Sequence, residues 1–356
     1  MKITGIIAEY NPFHLGHQFH MEKAREQTGA DYLVIVLSGD FVQRGAPAVF
    51  DKYSRTKMAL LCGADLVLEM PSVFATGSAE DFAACGVALL DRLGTVDSLF
   101  FGSECGTVRP LSDAASILLN EPPEFSGTLK ELLRHGHSFP SARGRALSAA
   151  MKREADPTMN DCKNEADFSS PNNILGIEYC KAILKQNSAV KPCTLLRLGD
   201  YHGPNLENSV PTEHSGIRFS SASAIRKSLK EQENRARSFS ASDLTAHIPN
   251  CLRSFYETCS PVFSGDFSCM LNYALLQAFQ NGIRLESFEG FSGELASRME
   301  KYAYSGGSWE ERIMQLKTRN YTYTRISRAL LHLLLGITAD LTQAMRTEAM
   351  LHMPVS

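Results

Sequence analysis

The chain has 356 residues, 44% of them apolar, and a formal net charge of −3 at neutral pH. That excludes a mainly disordered polymer and leaves room for one large domain or two ordinary ones with real cores. It also excludes a protein that is basic throughout, so any nucleic-acid surface has to be a local patch.

Four short apolar runs mark the first hundred residues: Ile3 to Glu9, Tyr32 to Leu37, Asp65 to Glu69 and Val96 to Phe101. Between them lie stretches of helical period, His20 to Gln27 closed by Gly29, Lys52 to Leu61 closed by Gly63, and Asp81 to Arg92 closed by Gly94. Runs that are hydrophobic throughout, alternating with capped helices, predict a doubly wound α/β layer with a parallel sheet covered on both faces. A helical insertion is expected from about Leu111 to Met151, then a polar segment around Asp156 to Ser170, a helix from Asn173 to Lys185 and a fifth strand at Thr194 to Leu198. Beyond SSASAIRKSL, the run KEQENRARSFSAS reads as a charged linker, and the remainder has helical period without convincing strands. This places a boundary near Ser238, between an α/β domain (1–237) and a C-terminal helical domain (238–356).

The nine cysteines are odd in number and contain no CxxC pair, and several sit inside apolar segments such as LLCGADL. They read as reduced thiols of a cytosolic protein, not as a zinc site or a disulfide framework. The apolar start is too short for a signal peptide, and ALLHLLLGI falls far short of a membrane span, so a soluble cytoplasmic protein is expected.

In a doubly wound sheet the ligand crevice lies beyond the carboxyl ends of the strands. NPFHLGH follows the first strand, SGDFVQRG the second, EMPSVFATGSAEDF the third and FGSECG the fourth, so the polar and Gly-bearing segments collect on one edge. His14 and His17 around Gly16, at a helix start, can face one anion together with the free helix N–H groups. Capping by ordinary surface histidines is the plainer alternative. Far downstream, SSASAIR supplies a serine-rich turn opening a helix and ending in Arg226, a pattern suited to phosphate but also to simple N-capping.

HxGH after a first strand, followed by Ser-Ser-x-Ser-x-Ile-Arg, resembles the signature of the HxGH nucleotidyltransferase superfamily. Together with EYNPFHLGH, SGDFVQRG, FDKYSRTKMALLCGADLVLEMP, FGSE, PNNILGIEYCKAI, LLRLGDYHG and TYTRISRALLHLLLGI, the chain resembles the tRNA(Met) cytidine acetate ligase family. The resemblance is dense from Met1 to Leu229. It implies a Rossmann-like nucleotidyltransferase that activates acetate with ATP as acetyl-adenylate and transfers acetyl to N4 of the wobble cytidine of elongator tRNA(Met). Two other readings stay open, a nucleotidyltransferase for a small phosphorylated coenzyme precursor and a non-catalytic nucleotide-binding module. The helical region and its basic, Tyr-rich stretch favour the first.

The resemblance implies His14, His17 and Arg226 as catalytic residues. It implies ATP contacts at Ile7, Ala8, Glu9, Tyr10, Asn11, Pro12, Phe13, His14, Leu15, Gly16, His17, Gln18, Phe19 and His20. Further contacts are implied at Gly102, at Asn172 or Asn173, at Arg197, and at Ser220, Ser221 and Ser223. Arg44 or Lys52, on the rim with Gln43 and Arg55, is a candidate for phosphate or tRNA contact. Asp40 stands where similar sequences carry Asn. For tRNA, Lys317, Arg319, Tyr321, Tyr323, Arg325 and Arg328 combine cations with rings able to stack on unpaired bases, and Arg134, Arg143 and Arg145 form a second basic run. No spacing of His, Cys and carboxylates specifies a protein-held metal, so Mg²⁺ would arrive with ATP. No membrane contact and no obligate protein partner are expected.

Overall fold

The computed structural model describes residues 1–154, 167–197, 210–211, 218–234, 244–302, 304–319 and 321–351. In chain order the elements begin β1 (Ile3–Ala8), α1 (Leu15–Thr28), β2 (Tyr32–Ser38), the two-residue strands β3 (Phe41–Val42) and β4 (Ala46–Pro47), α2 (Lys52–Leu61), β5 (Leu66–Met70), α3 (Ser72–Ala75), α4 (Ala79–Arg92) and β6 (Ser98–Ser103). Helices α5 (Val108–Asn120), α6 (Pro123–Arg134), α7 (Phe139–Glu154) and α8 (Pro171–Lys185) lead to β7 (Lys191–Leu196). The strands β8 (Val210–Pro211) and β9 (Arg218–Phe219) precede α9 (Ala222–Asn234). The rest is helical: α10 (Arg253–Thr258), α11 (Ser268–Gln280), α12 (Gly293–Glu300), α13 (Trp309–Leu316), α14 (Tyr323–Leu335) and α15 (Ala339–Leu351).

Five parallel strands form one sheet in the order β5-β2-β1-β6-β7. Successive side chains of a strand point to opposite faces, and here both faces are apolar. Val34, Val36, Leu99 and Phe101 join α4, α5 and α8 in one core, while Leu33, Ile35, Leu37 and Phe100 join α1, α2 and α9 in the other. This is the doubly wound layer expected from the sequence. The fifth strand comes three residues earlier than expected, and the helical insertion divides into α5, α6 and α7. Pro122 and Pro123 restart the chain after Asn120, because proline suits a first helical turn and not an interior.

A third core, from Leu271 to Leu333, belongs to α11–α14. Residues 244–256 do not join it. Leu244, Ile248, Leu252 and Tyr256 pack into the sheet-face core with Phe13 and Phe50. The boundary expected near Ser238 lies outside the described residues. Eight cysteines are free thiols, Cys62 and Cys251 approaching to 3.8 Å, and Cys162 lies outside the described residues. Among the described residues no helix is long and apolar enough to cross a membrane.

Candidate active site

Strand β1 has β2 on one side and β6 on the other, so the strand order reverses there and a crevice opens beyond their carboxyl ends. Ile7 and Ala8 end β1 and pack into opposite cores. Tyr10 then takes φ +44°, a left-handed value that costs a non-glycine residue about 1–2 kcal/mol. It turns the chain so that Asn11 and Phe13 are buried, with Asn11 Oδ1 accepting from the Val49 N–H at 2.8 Å.

His14 is the N-cap of α1. Its Nδ1 accepts from the Gly16 N–H at 3.0 Å, and its own N–H donates to His17 Nδ1 at 3.3 Å. Both rings therefore carry their neutral proton on Nε2. They stack with centroids 3.7 Å apart, and Tyr10 and Phe13 wall His17 at 4.9 and 5.6 Å. Desolvation first, then Arg197 and Arg226, pushes His14 down to about 3, and desolvation together with His14 holds His17 well below its ordinary value. At neutral pH the pair offers two N–H donors and not two cations. His20, one turn on, is lowered to about 4 by desolvation, and its buried Nε2 has no partner among the described residues, nor does the buried Tyr10 hydroxyl. Leu15, Gly16, Gln18 and Phe19 line the half-buried first turns of α1, Phe19 lying under Lys23.

The second segment comes to the same place. Arg226 donates to the Asn11 carbonyl, within NPFHLGH itself, and to Ser223 Oγ at 3.0 Å. Ser221 Oγ accepts from the Ala224 N–H at 3.1 Å and so caps α9. Ser220 is buried, its Oγ 2.8 Å from His247 Nδ1, while the His247 carbonyl accepts from the Leu15 N–H at 3.0 Å. His247 thus ties the two segments together. Sequence reasoning missed it, because a single histidine in LTAHIPN has no partner at any telling spacing.

On the β6 side, Arg197 donates to Asn172 Oδ1 at 2.9 Å and passes over Gly102, where an added Cβ would sit 3.2 Å from its Cγ. Asn172 and Asn173 have different roles. Asn173 is fully buried, its Oδ1 accepting from the Glu104 and Cys105 N–H groups and its Nδ2 donating to Asp167. Glu104 in turn receives the Asn173 N–H at 2.7 Å and Asn172 Nδ2 at 2.7 Å, placing a carboxylate on the start of α8. Asn172, half-buried beside Arg197, is the member of the pair next to the crevice.

The rim residues also separate. Lys52 is paired with Glu69 at 2.8 Å, and Asp40 accepts from the Lys52 N–H at 2.8 Å. Arg55 is fully buried and binds the carbonyls of Glu9, Ser38, Gly39 and Phe50, closing the ends of β1 and β2. Glu9 Oε1 accepts from the Gln43 N–H at 2.9 Å, while Arg44 stays exposed.

Residues 1–354 match the family model of the HIGH nucleotidyl transferases. It is 39% identical to a tRNA(Met) cytidine acetate ligase of Clostridium perfringens, covering 96% of this chain and 80% of that protein. With the ligase of the same name from Acetivibrio thermocellus it shares 38% identity over 98% and 81%. The chain belongs to the tRNA(Met) cytidine acetate ligase family. Among solved structures, Thermotoga maritima TmcAL bound with alpha-thio ATP superposes with a TM-score of 0.81 at 33% identity, covering 98% of this chain and 78% of that one. The apo form of the same protein gives 0.82. A member of this ligase family has the nucleotidyltransferase sheet described above, with HxGH at its switch point.

In the helical region, Lys317, Tyr323 and Arg325 are exposed. Tyr321 is buried, its hydroxyl 2.6 Å from Ser292 Oγ and the Arg325 guanidinium 4.6 Å above its ring. Arg319 donates to the Gly136 carbonyl in the α6–α7 turn, two residues beyond Arg134 in the chain. Arg328 donates to the Gly77 carbonyl at 2.7 Å, and Arg143 is paired with Glu178 while Arg145 is exposed. No cluster of three His, Cys, Asp or Glu able to hold a metal occurs among the described residues.

Proposed function

We propose that the protein activates acetate with ATP and passes the acetyl group to N4 of the wobble cytidine of elongator tRNA(Met). The observation that carries this reading is the contact between Arg226 and Asn11: the two segments implied for one triphosphate share one crevice. The name shared by its relatives, and the alpha-thio ATP bound by the Thermotoga protein, support the same reaction.

An acetate oxygen attacks the α-phosphorus, the α–β anhydride bond breaks, and pyrophosphate leaves with the electron pair. The cytidine N4 then attacks the acetyl carbon, loses a proton, and AMP departs. Two anions have to meet in the first step, so donors fixed in advance lower the barrier, each by on the order of 3 kcal/mol in a site that excludes water. His14 and His17 present Nε2–H to the α-phosphate, and Arg226 with Ser223 receives the β and γ phosphates. Asn172 and Arg197 hold the adenosine beside Gly102. Ser220 acts through His247, and Mg²⁺ enters with ATP. Residues before about 238, together with the 244–256 segment that carries His247, perform activation, and the helical region beyond docks the RNA through Lys317, Tyr323 and Arg325, with Arg319 bracing the α6–α7 turn.

Acetate-dependent exchange of labelled pyrophosphate into ATP, without tRNA, tests the first step. Its absence at saturating acetate and Mg²⁺ removes this reading. For the second step, Lys317→Ala with Arg325→Ala should weaken tRNA binding and lower its salt slope by about 2, leaving exchange unchanged. A parallel loss of exchange would break the division of labour.

A further inference from the structure

The β3–β4 hairpin is held from two sides. The Gln43 N–H fastens it to Glu9 at the end of β1. On the other side Ser327 Oγ donates to the Gly45 carbonyl at 2.7 Å, and the Phe41 ring lies 6.1 Å from Phe267. Gly45 has φ +74°, and a Cβ there would fall on the backbone of Ser327 and Arg328, so the turn rests directly on α14. The residue presented between these anchors is Arg44.

Arg44 is exposed, and among the described residues it forms no hydrogen bond and no ion pair. Its rim neighbours are committed: Lys52 to Glu69, Arg55 to four carbonyls. Through Gln43 the hairpin is fixed to Glu9, two residues before the Asn11 carbonyl that Arg226 binds, and the Arg226 pKa is lowered first by desolvation and next by Arg44. Glu9, which opposes that shift, already receives the Gln43 N–H on one oxygen. Arg197, the two imidazoles and Arg226 thus meet at the crevice, with Arg44 on the hairpin at its rim. An exposed guanidinium on a turn pinned from both sides, beside the donors of the crevice, suits a polyanion that extends past the imidazoles.

We propose that Arg44 is a further catalytic residue of the activation step, one that binds the γ end of the triphosphate and stays with pyrophosphate as it leaves. This rests on the proposed reaction and adds a residue to it. When the α–β bond breaks, negative charge accumulates on the departing pyrophosphate, and a guanidinium fork already in place stabilises that charge without having to move.

The test compares ATP, ADP and AMP binding to the full chain by titration calorimetry, with no acetate or tRNA present. Arg44→Ala should weaken ATP binding by roughly 10- to 100-fold while changing AMP binding less than about twofold, and Arg44→Lys should restore part of the loss. Equal ATP affinity in the wild type and Arg44→Ala overturns the assignment, and a separate titration in which only tRNA binding falls would then give the side chain to RNA phosphate. An equal loss for AMP and ATP also overturns it, since a contact at the γ end leaves AMP alone. A wild-type protein that binds no ATP overturns both this assignment and the reaction on which it rests.

Discussion

Replacing His14 or His17 with Ala should slow acetate-dependent pyrophosphate exchange by about 100-fold or more, the loss of one fixed donor worth on the order of 3 kcal/mol. Each substitution also has a side effect on the helix start. His14→Ala removes the cap on the Gly16 N–H, and His17→Ala removes the acceptor for the His14 N–H, so each also exposes one backbone donor. A lost cap costs about 1 kcal/mol of stability, small beside the catalytic term. Near-normal exchange in either variant would make the pair a helix cap and nothing more.

The same rings set a pH dependence. Their folded pKa values, about 3 for His14 and about 4 for His20 with His17 also depressed, lie below the unfolded value near 6.5. As pH falls, the unfolded chain takes up protons first. The stability these residues contribute is therefore complete above pH 6.5 and is lost as pH drops toward 4 and then 3, by up to about 1.4 kcal/mol per pH unit for each ring. Urea midpoints should fall between pH 7 and pH 5, and less so in His14→Ala. Exchange rates should show no imidazole titration between pH 6.5 and 8, because the working form is already neutral. A rate that rises as the solution is acidified through pH 6.5 would mean that imidazolium is the active species.

Arg55→Met should destabilise the protein by about 3 kcal/mol and lower Tm by about 5–10 °C. Burial brings the Arg55 pKa down to about 10, still well above neutral, so the side chain is charged in a dry place. It compensates by donating to four carbonyls, three at the carboxyl ends of β1 and β2 and that of Phe50 just before α2. Methionine fills similar space and relieves the desolvation of the cation, which offsets part of the loss, but leaves those carbonyls without donors. Activity should fall too, since the Glu9 carbonyl that Arg55 holds lies two residues before Asn11, on the segment that bends into the site. An unchanged melting temperature with normal exchange would show that water replaces the guanidinium.

The parallel strands and the helices between them were legible in the chain, because buried parallel strands and glycine-closed helices each leave a local signature, whereas the strand order came from the structure. Lys52–Leu61 agrees residue for residue with α2, whose Asp51 cap is a sequence signal. Helix α1 starts five residues earlier than its apolar period suggested, since its cap is His14, a residue type seldom read as one. The β3–β4 strands are two residues long, too short to show alternation, and they read as loop.

The amino-acid order alone determined the doubly wound layer, the HxGH and Ser-Arg segments and their family, because these depend on spacing along the chain. Tertiary structure decided which members of each residue class are available. It buried Tyr321 and Asn173, spent Lys52 and Arg55 on internal partners, and left Arg44 exposed. It also recruited His247 from more than 200 residues away. The physical reason is that hydrogen-bond satisfaction and desolvation depend on neighbours in space, which a linear pattern does not encode.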